Sequence, residues 1–168
     1  IIKKAELLIA EHQEKQAIQV LERAAMLSPN DTNLELLRVK AIAALGNTEE
    51  ALALLVSLKD IANPAEVSNI YVVESVVYEQ MESYNEMFYA LSKALELDFN
   101  NQAALEKLWL CVELAKKYEE SIILHLQIIE EDPYSKMAWH NLGHAYAYLG
   151  KYEDAAEAYE YAYLIDDQ

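Results

Sequence analysis

The 168-residue sequence is poor in the residues that cross-link and break chains. A single cysteine, Cys111, excludes a disulfide scaffold. Three glycines (Gly46, Gly143, Gly150) and three prolines (Pro29, Pro64, Pro133) exclude collagen-like and low-complexity chains. They also count against sheets and barrels, whose frequent turns lean on Gly, Pro, Asn and Asp. The glycines are too dispersed to form a phosphate-cradling loop. Positive charge is scarce: 13 Lys+Arg stand against 29 Asp+Glu, a net charge of −16. A polyanion of this kind repels phosphate backbones and anionic lipid, so the partners implied exclude nucleic acid and membrane surfaces. No run approaches the roughly 18 to 20 apolar residues of a membrane span.

What is present is apolar content, 54% of the chain, enough to offset the entropy of ordering. The length suits one compact domain or a short repeat array. Helix breakers come at wide intervals, near residues 28–32, 46–48, 63–64, 98–101, 116, 132–135 and 150. Between them lie runs of Ala, Leu, Glu, Lys and Gln, which are strong helix formers. Apolar residues recur three and four apart, as in Leu142, Ala145, Tyr146 and Leu149, then Ala155, Ala158, Tyr159 and Ala162. An all-α chain of about ten helices is the expectation. Asn63, Pro64 and Glu66 read as a capping box with proline at the first helical position. Ser83 and Glu86 read as another. The opening Ile1-Ile2-Lys3-Lys4 already reads as helix. The chain is therefore expected to be an excised segment of a longer, bacterial-type protein. A cytoplasmic location is expected, with an upstream targeting segment left open.

The helices repeat in pairs. The last segment runs Trp139, Leu142, Gly143, Tyr146, Gly150, Tyr152, Ala155, Tyr159, Ala162, Asp166. Steps of 34 lead back to Leu105, Leu108, Val112, Tyr118, Ser121 and Ile128, then to Tyr71, Ser75, Tyr78, Tyr84, Leu91 and Ala94. Earlier units centre on Gly46, Ala51, Leu55 and Leu58, and on Ala5, Leu8, Ala17, Leu21, Ala24 and Pro29. This spacing resembles the tetratricopeptide repeat (TPR), a 34-residue helix–turn–helix unit. The resemblance implies a right-handed α-solenoid of five TPR units in a single array: 1–31, 32–67, 68–101, 102–135 and 136–168. Small residues Ala5, Ser75 and Gly143 should meet Ala17 or Ala155 of the second helix of a pair, so that the axes approach closely. Trp109 stands where the family has a small residue, and wider spacing of that helix pair, or a rotated first helix, is expected there. In unit two, Glu35 and Arg38 fall at buried positions; a one-residue shift would bury Leu34, Leu37 and Ala41 instead.

Catalytic signals are weak. His140 and His144 share one helical face, but Asn-Leu-Gly lies between them and the Glu of a zinc-protease motif is missing. No catalytic, metal or cofactor site is expected. Cys111 reads as a small buried hydrophobe. Acidic pairs at Glu49-Glu50, Glu119-Glu120 and Glu130-Glu131 read as helix-start or loop-edge residues, favoured by the macrodipole where they open a helix. Seven tyrosines, Tyr71, Tyr78, Tyr84, Tyr118, Tyr146, Tyr152 and Tyr159, fit packing positions of the repeat; Tyr148 and Tyr163 do not.

The resemblance places function in the concave groove lined by the first helix of each pair. The candidate peptide-binding residues are Leu36, Lys40, Val72, Val76, Glu79, Glu106, Leu110, Glu113, His140, His144 and Tyr148. The carboxylate clamp of chaperone-tail-binding TPR domains is missing, since its positions fall on Val72, Val76, Lys107, Met137 and Asn141. An asparagine ladder is missing as well. Residues 1–67 carry net charge −3 and residues 68–168 net −13. The expected function is a non-catalytic protein-interaction scaffold that binds a peptide or helical segment with apolar and basic residues. The alternative is a regulatory or substrate-recruiting module of a larger protein whose enzymatic domain lies outside this segment. Uncovered terminal repeats also allow end-to-end self-association.

Overall fold

The computed structural model describes residues 1–28 and 31–166. Pro29, which closes the first repeat in the sequence reading, lies outside them. Among the described residues there are ten α-helices and no strands. They fall into two compact units, Ile1–Ser83 and Tyr84–Gln168. The division lies inside the segment 68–101 assigned to the third repeat.

The first unit holds α1 (Ile2–Ala10), α2 (Glu14–Leu27), α3 (Thr32–Ala44), α4 (Thr48–Ile61) and α5 (Pro64–Gln80). Each chain neighbour packs on the next, and α3 also packs on α5. The main core joins Val39, Ile42, Leu55, Ile70 and Val77. In α3 the shifted register holds. Leu34 and Ala41 are buried and Leu37 is half-buried, while Glu35 and Arg38 pair with each other at 3.2 Å. Between α4 and α5, Lys59 donates to both carboxylate oxygens of the buried Glu74 at 2.9 Å and stands 4.2 Å over the Tyr71 ring.

The second unit holds α6 (Tyr84–Leu97), α7 (Gln102–Ala115), α8 (Tyr118–Glu131), α9 (Lys136–Tyr148) and α10 (Tyr152–Asp166). Its packing runs α6 on α7, α8 on α9 and α9 on α10, with α7 also touching α9. Cys111 is fully buried, and its thiol donates to the Tyr84 carbonyl at 3.3 Å.

Local chemistry explains where helices start and stop. Asp31 accepts from the amides of Asn33 and Leu34, and Asn101 from that of Ala104, satisfying orphan donors at the starts of α3 and α7. The Asn63–Glu66 box is complete: Asn63 accepts from the Glu66 amide at 3.1 Å, and Glu66 accepts from the Asn63 amide at 3.3 Å. Glu49-Glu50 and Glu119-Glu120 do open helices, but Glu130-Glu131 close α8, so the dipole argument does not reach them.

The repeat is written in the backbone. Five residues turn with positive φ between paired helices: His12, Gly46, Glu82, Lys116 and Gly150. They are separated by 34, 36, 34 and 34 residues, so the two extra residues fall between Gly46 and Glu82. The start of α5 at the Asn63–Pro64 cap accommodates them.

Helix contacts differ from expectation by one turn. Ala5 does not meet Ala17; it shares a buried cluster with Leu21 and Ala24, and Ala17 packs with Leu8 and Ala41. A Cβ on Gly143 would lie 2.7 Å from the Tyr159 ring, so the small residue makes room for Tyr159. In both cases a large side chain sixteen residues on fills the notch left by the small one. Trp109 breaks this scheme. The same step from it reaches His125, which is fully buried. As expected, α7 and α8 lie close over much less of their length than α9 and α10.

Candidate functional site

On the first unit, α3 and α5 carry the candidates. Lys40, Val72, Val76 and Glu79 are half-buried and partly open to a ligand. Leu36 corrects the sequence reading: it is 7% exposed and belongs to the core with Val39 and Ile42. The one-residue shift of α3 turns it inward. Val73, next to Val72 on α5, is buried in the same core.

On the second unit, α7 and α9 present Glu106, Leu110, Glu113, His140 and Tyr148 at the surface, with His144 half-buried. Leu110 is 48% and Tyr148 53% exposed, among the large apolar side chains that stay open to solvent. Asn141, by contrast, is buried and donates to the Leu105 carbonyl at 3.4 Å, so it ties α9 to α7 instead of facing a ligand. Met137 and His140 also line a pocket of about 540 Å³ with Asn100, Gln102, Leu105 and Tyr134.

An aromatic chain links these residues. Tyr118 of α8 stacks on Tyr148 at 4.9 Å, and Tyr148 tilts against Trp109 of α7 at 5.8 Å. Trp109 stacks on His144 at 4.6 Å, His144 meets His140 edge-on at 4.5 Å, and both histidines meet Tyr159 of α10. Such ring pairs add about 0.5–1.5 kcal/mol each beyond area burial. The Tyr148 hydroxyl donates to the Glu113 carboxylate at 2.6 Å, and Tyr159 Oη lies 3.0 Å from His144 Nδ1. Trp109 was absent from the sequence-derived site. Its misfit to the small-residue position was the signal, but its destination on α9 was not readable from the repeat.

Electrostatics follow from this packing. Burial, and secondarily the neighbouring His140, push the His144 imidazole below its ordinary pKa, against an opposing pull from Glu113. The hydrogen bond to Glu113 holds the Tyr148 phenol above its ordinary value. His125 is pushed down to about 4 by burial, although its bond to Ser121 opposes this. Its Nδ1 donates to the Ser121 carbonyl at 2.7 Å, and Nε2 has no partner. Among the described residues, no group of three His, Cys, Asp or Glu converges as a metal site, and no helix is long and apolar enough to cross a membrane. Tyr152 also departs from expectation: it is 74% exposed and packs no wall of the repeat.

Two tetratricopeptide repeat models match the chain, over residues 8–71 and 137–168. The human protein O-mannosyl-transferase TMTC1 is 26% identical over 155 residues. That alignment covers 88% of this chain but only 17% of the transferase, so the chain spans under a fifth of that relative's length. Among solved structures, the crystal structure of MamA has a TM-score of 0.64 at 17% identity, covering 97% of this chain and 94% of that one. YrrB, described as a TPR protein with an unusual peptide-binding site, has a TM-score of 0.59 at 20% identity, covering 99% and 85%. Naa15/Naa10 bound to HypK-THB reaches 0.70 at 20% identity, covering 94% of this chain and 23% of that one. Helix–turn–helix repeats with an open first-helix face define a protein-interaction scaffold. The chain belongs to the tetratricopeptide repeat family.

Proposed function

We propose that the chain is a non-catalytic scaffold that binds a peptide or helical segment through the first-helix faces of its repeats. The observation that carries this reading is the α7–α9 face, where Leu110 and Tyr148 are about half exposed beside the carboxylates of Glu106 and Glu113. Exposed apolar side chains beside carboxylates suit a partner with apolar anchors and basic residues. On the first unit, the half-buried Lys40, Val72, Val76 and Glu79 pair apolar surface with one charge of each sign. The peptide-binding site named for YrrB supports the same use of the fold. The five TPR units form one array in this reading.

The test is selection of ligands from a random peptide display library on the intact chain. Enriched peptides should combine apolar and basic residues. Leu110→Asp should abolish binding at the α7–α9 face with helicity unchanged, because a carboxylate cannot be desolvated under an apolar anchor. Glu106 and Glu113 changed to Gln should weaken binding most at low salt, since exposed charges are screened within about 8–10 Å at physiological ionic strength. Retained binding by all these variants, with loss in Val56→Asp or Ile123→Asp, would move the site to those other exposed positions.

A further inference from the structure

We propose that Glu113, Tyr148 and Trp109 form a seat for one guanidinium group, so that an arginine side chain is the polar anchor of the bound segment. The inference rests on the scaffold reading above and specifies its partner chemistry.

Glu113 is exposed, and among the described residues no ion pair joins it to a basic side chain. Its Oε1 is fixed by the Tyr148 hydroxyl at 2.6 Å, which leaves Oε2 and the remaining lone pairs for an incoming donor. Orientation of a carboxylate before binding removes part of the entropic cost of a bidentate pair. Beside it lie two electron-rich rings, Tyr148 and Trp109, with centroids 5.8 Å apart and planes at 53°. Trp109 lies one turn before Glu113 on α7 and the Tyr148 hydroxyl bonds to the carboxylate, so a cation paired with Glu113 has both rings as neighbours. Aromatic faces attract cations through the ring quadrupole, and Arg stacks on them more often than Lys.

Each ring is fixed by a stacked neighbour on one face, which leaves its other face and its edges for a ligand. Tyr118 stacks on Tyr148 within 12° of parallel, and His144 stacks on Trp109 within 29°. The nearby imidazoles hold no opposing charge while neutral, and burial and His140 keep His144 toward that state. Leu110, one turn before Glu113 on α7, and the 45% exposed Leu114 supply apolar surface for the rest of the ligand. The region's net charge of −13 over residues 68–168 steers cations toward it.

Nuclear magnetic resonance titration with Nα-acetyl-arginine amide tests the seat, with the lysine and citrulline amides as comparisons. Citrulline keeps the planar shape without the charge. The arginine amide should shift the Trp109 indole and Tyr148 ring resonances saturably, with affinity on the order of millimolar for so small a probe. The lysine amide should bind several-fold more weakly and citrulline not at all. Glu113→Gln should weaken the arginine amide about tenfold or more, and Tyr148→Phe less, since the ring remains. Equal shifts from arginine and citrulline, an unchanged Glu113→Gln affinity, or no saturable shift would each overturn the seat. Library-selected peptides separate the two claims. Binding that needs Leu110 but tolerates Arg→citrulline removes the seat and keeps the scaffold reading. Binding that needs arginine and Glu113 but tolerates Leu110→Asp keeps the seat and removes the apolar-groove reading.

Discussion

The ring of Tyr159 occupies the space that a side chain on Gly143 would need, with Cε1 only 2.7 Å from the Cβ position. The closeness of α9 and α10 depends on that glycine. Gly143→Ala should gain up to about 1 kcal/mol of helix propensity but lose about 1–3 kcal/mol to overpacking. Tyr159 cannot yield freely, because its hydroxyl is engaged with His144. The expected result is a net loss of about 1 kcal/mol of unfolding free energy in urea, recovered by the added change Tyr159→Leu. A more stable Gly143→Ala would show the contact to be soft.

The turns make a complementary prediction. Lys116 adopts φ 55° with a side chain present, and Gly150 adopts φ 73° with no atom within 4 Å of its missing Cβ. Lys116→Gly should stabilise by up to about 1 kcal/mol by removing left-handed strain. Gly150→Ala should destabilise by about as much, for backbone reasons alone. Thermal or urea unfolding of the two variants checks the opposite signs.

The Lys59–Glu74 pair is held between α4 and α5, with Glu74 8% exposed. Lys59→Met should cost about 2–4 kcal/mol, because it strands a buried carboxylate. The double change Lys59→Met with Glu74→Leu should regain most of that loss. Equal destabilisation by single and double variants would show that the pair is held by more than charge.

Acid sensitivity should trace to buried imidazoles. His125 has a folded pKa near 4 against an ordinary 6.5, and His144 is shifted the same way. The unfolded chain therefore binds more protons than the folded one in this window. Their contribution is intact above about pH 6.5 and is lost as pH falls toward 4, by about 3 kcal/mol for His125. His125→Leu should flatten the profile of urea midpoint against pH from 7 to 5 and cost about 1 kcal/mol at pH 7, for the lost bond from Nδ1 to the Ser121 carbonyl. A slope unchanged in this variant would place the acid sensitivity elsewhere.

Much of the fold was legible in the sequence because repetition multiplies a weak signal. Gly46 and Gly150 mark two left-handed turns, and the 34-residue step carries that geometry to His12, Glu82 and Lys116, whose residue types alone do not announce it. The capping box at Asn63 was legible because it is local. Contacts between helices were less so. Leu36 turned inward because α3 is rotated by one residue, and Ala5 met Leu21 instead of Ala17 because the notch takes the larger side chain. Trp109 could be seen as a misfit, but its stacking on His144 depends on how α9 passes α7, which no repeat position specifies.

The most direct test of the binding-face account is resonance mapping of an isotope-labelled chain titrated with a library-selected peptide. The account predicts that the largest changes fall on Leu110, Glu113, His144 and Tyr148 of α7 and α9, with Ile123 and Leu126 of α8 unmoved although they are 60% and 45% exposed. Changes concentrated on Ile123 and Leu126, with α7 and α9 silent, would contradict it.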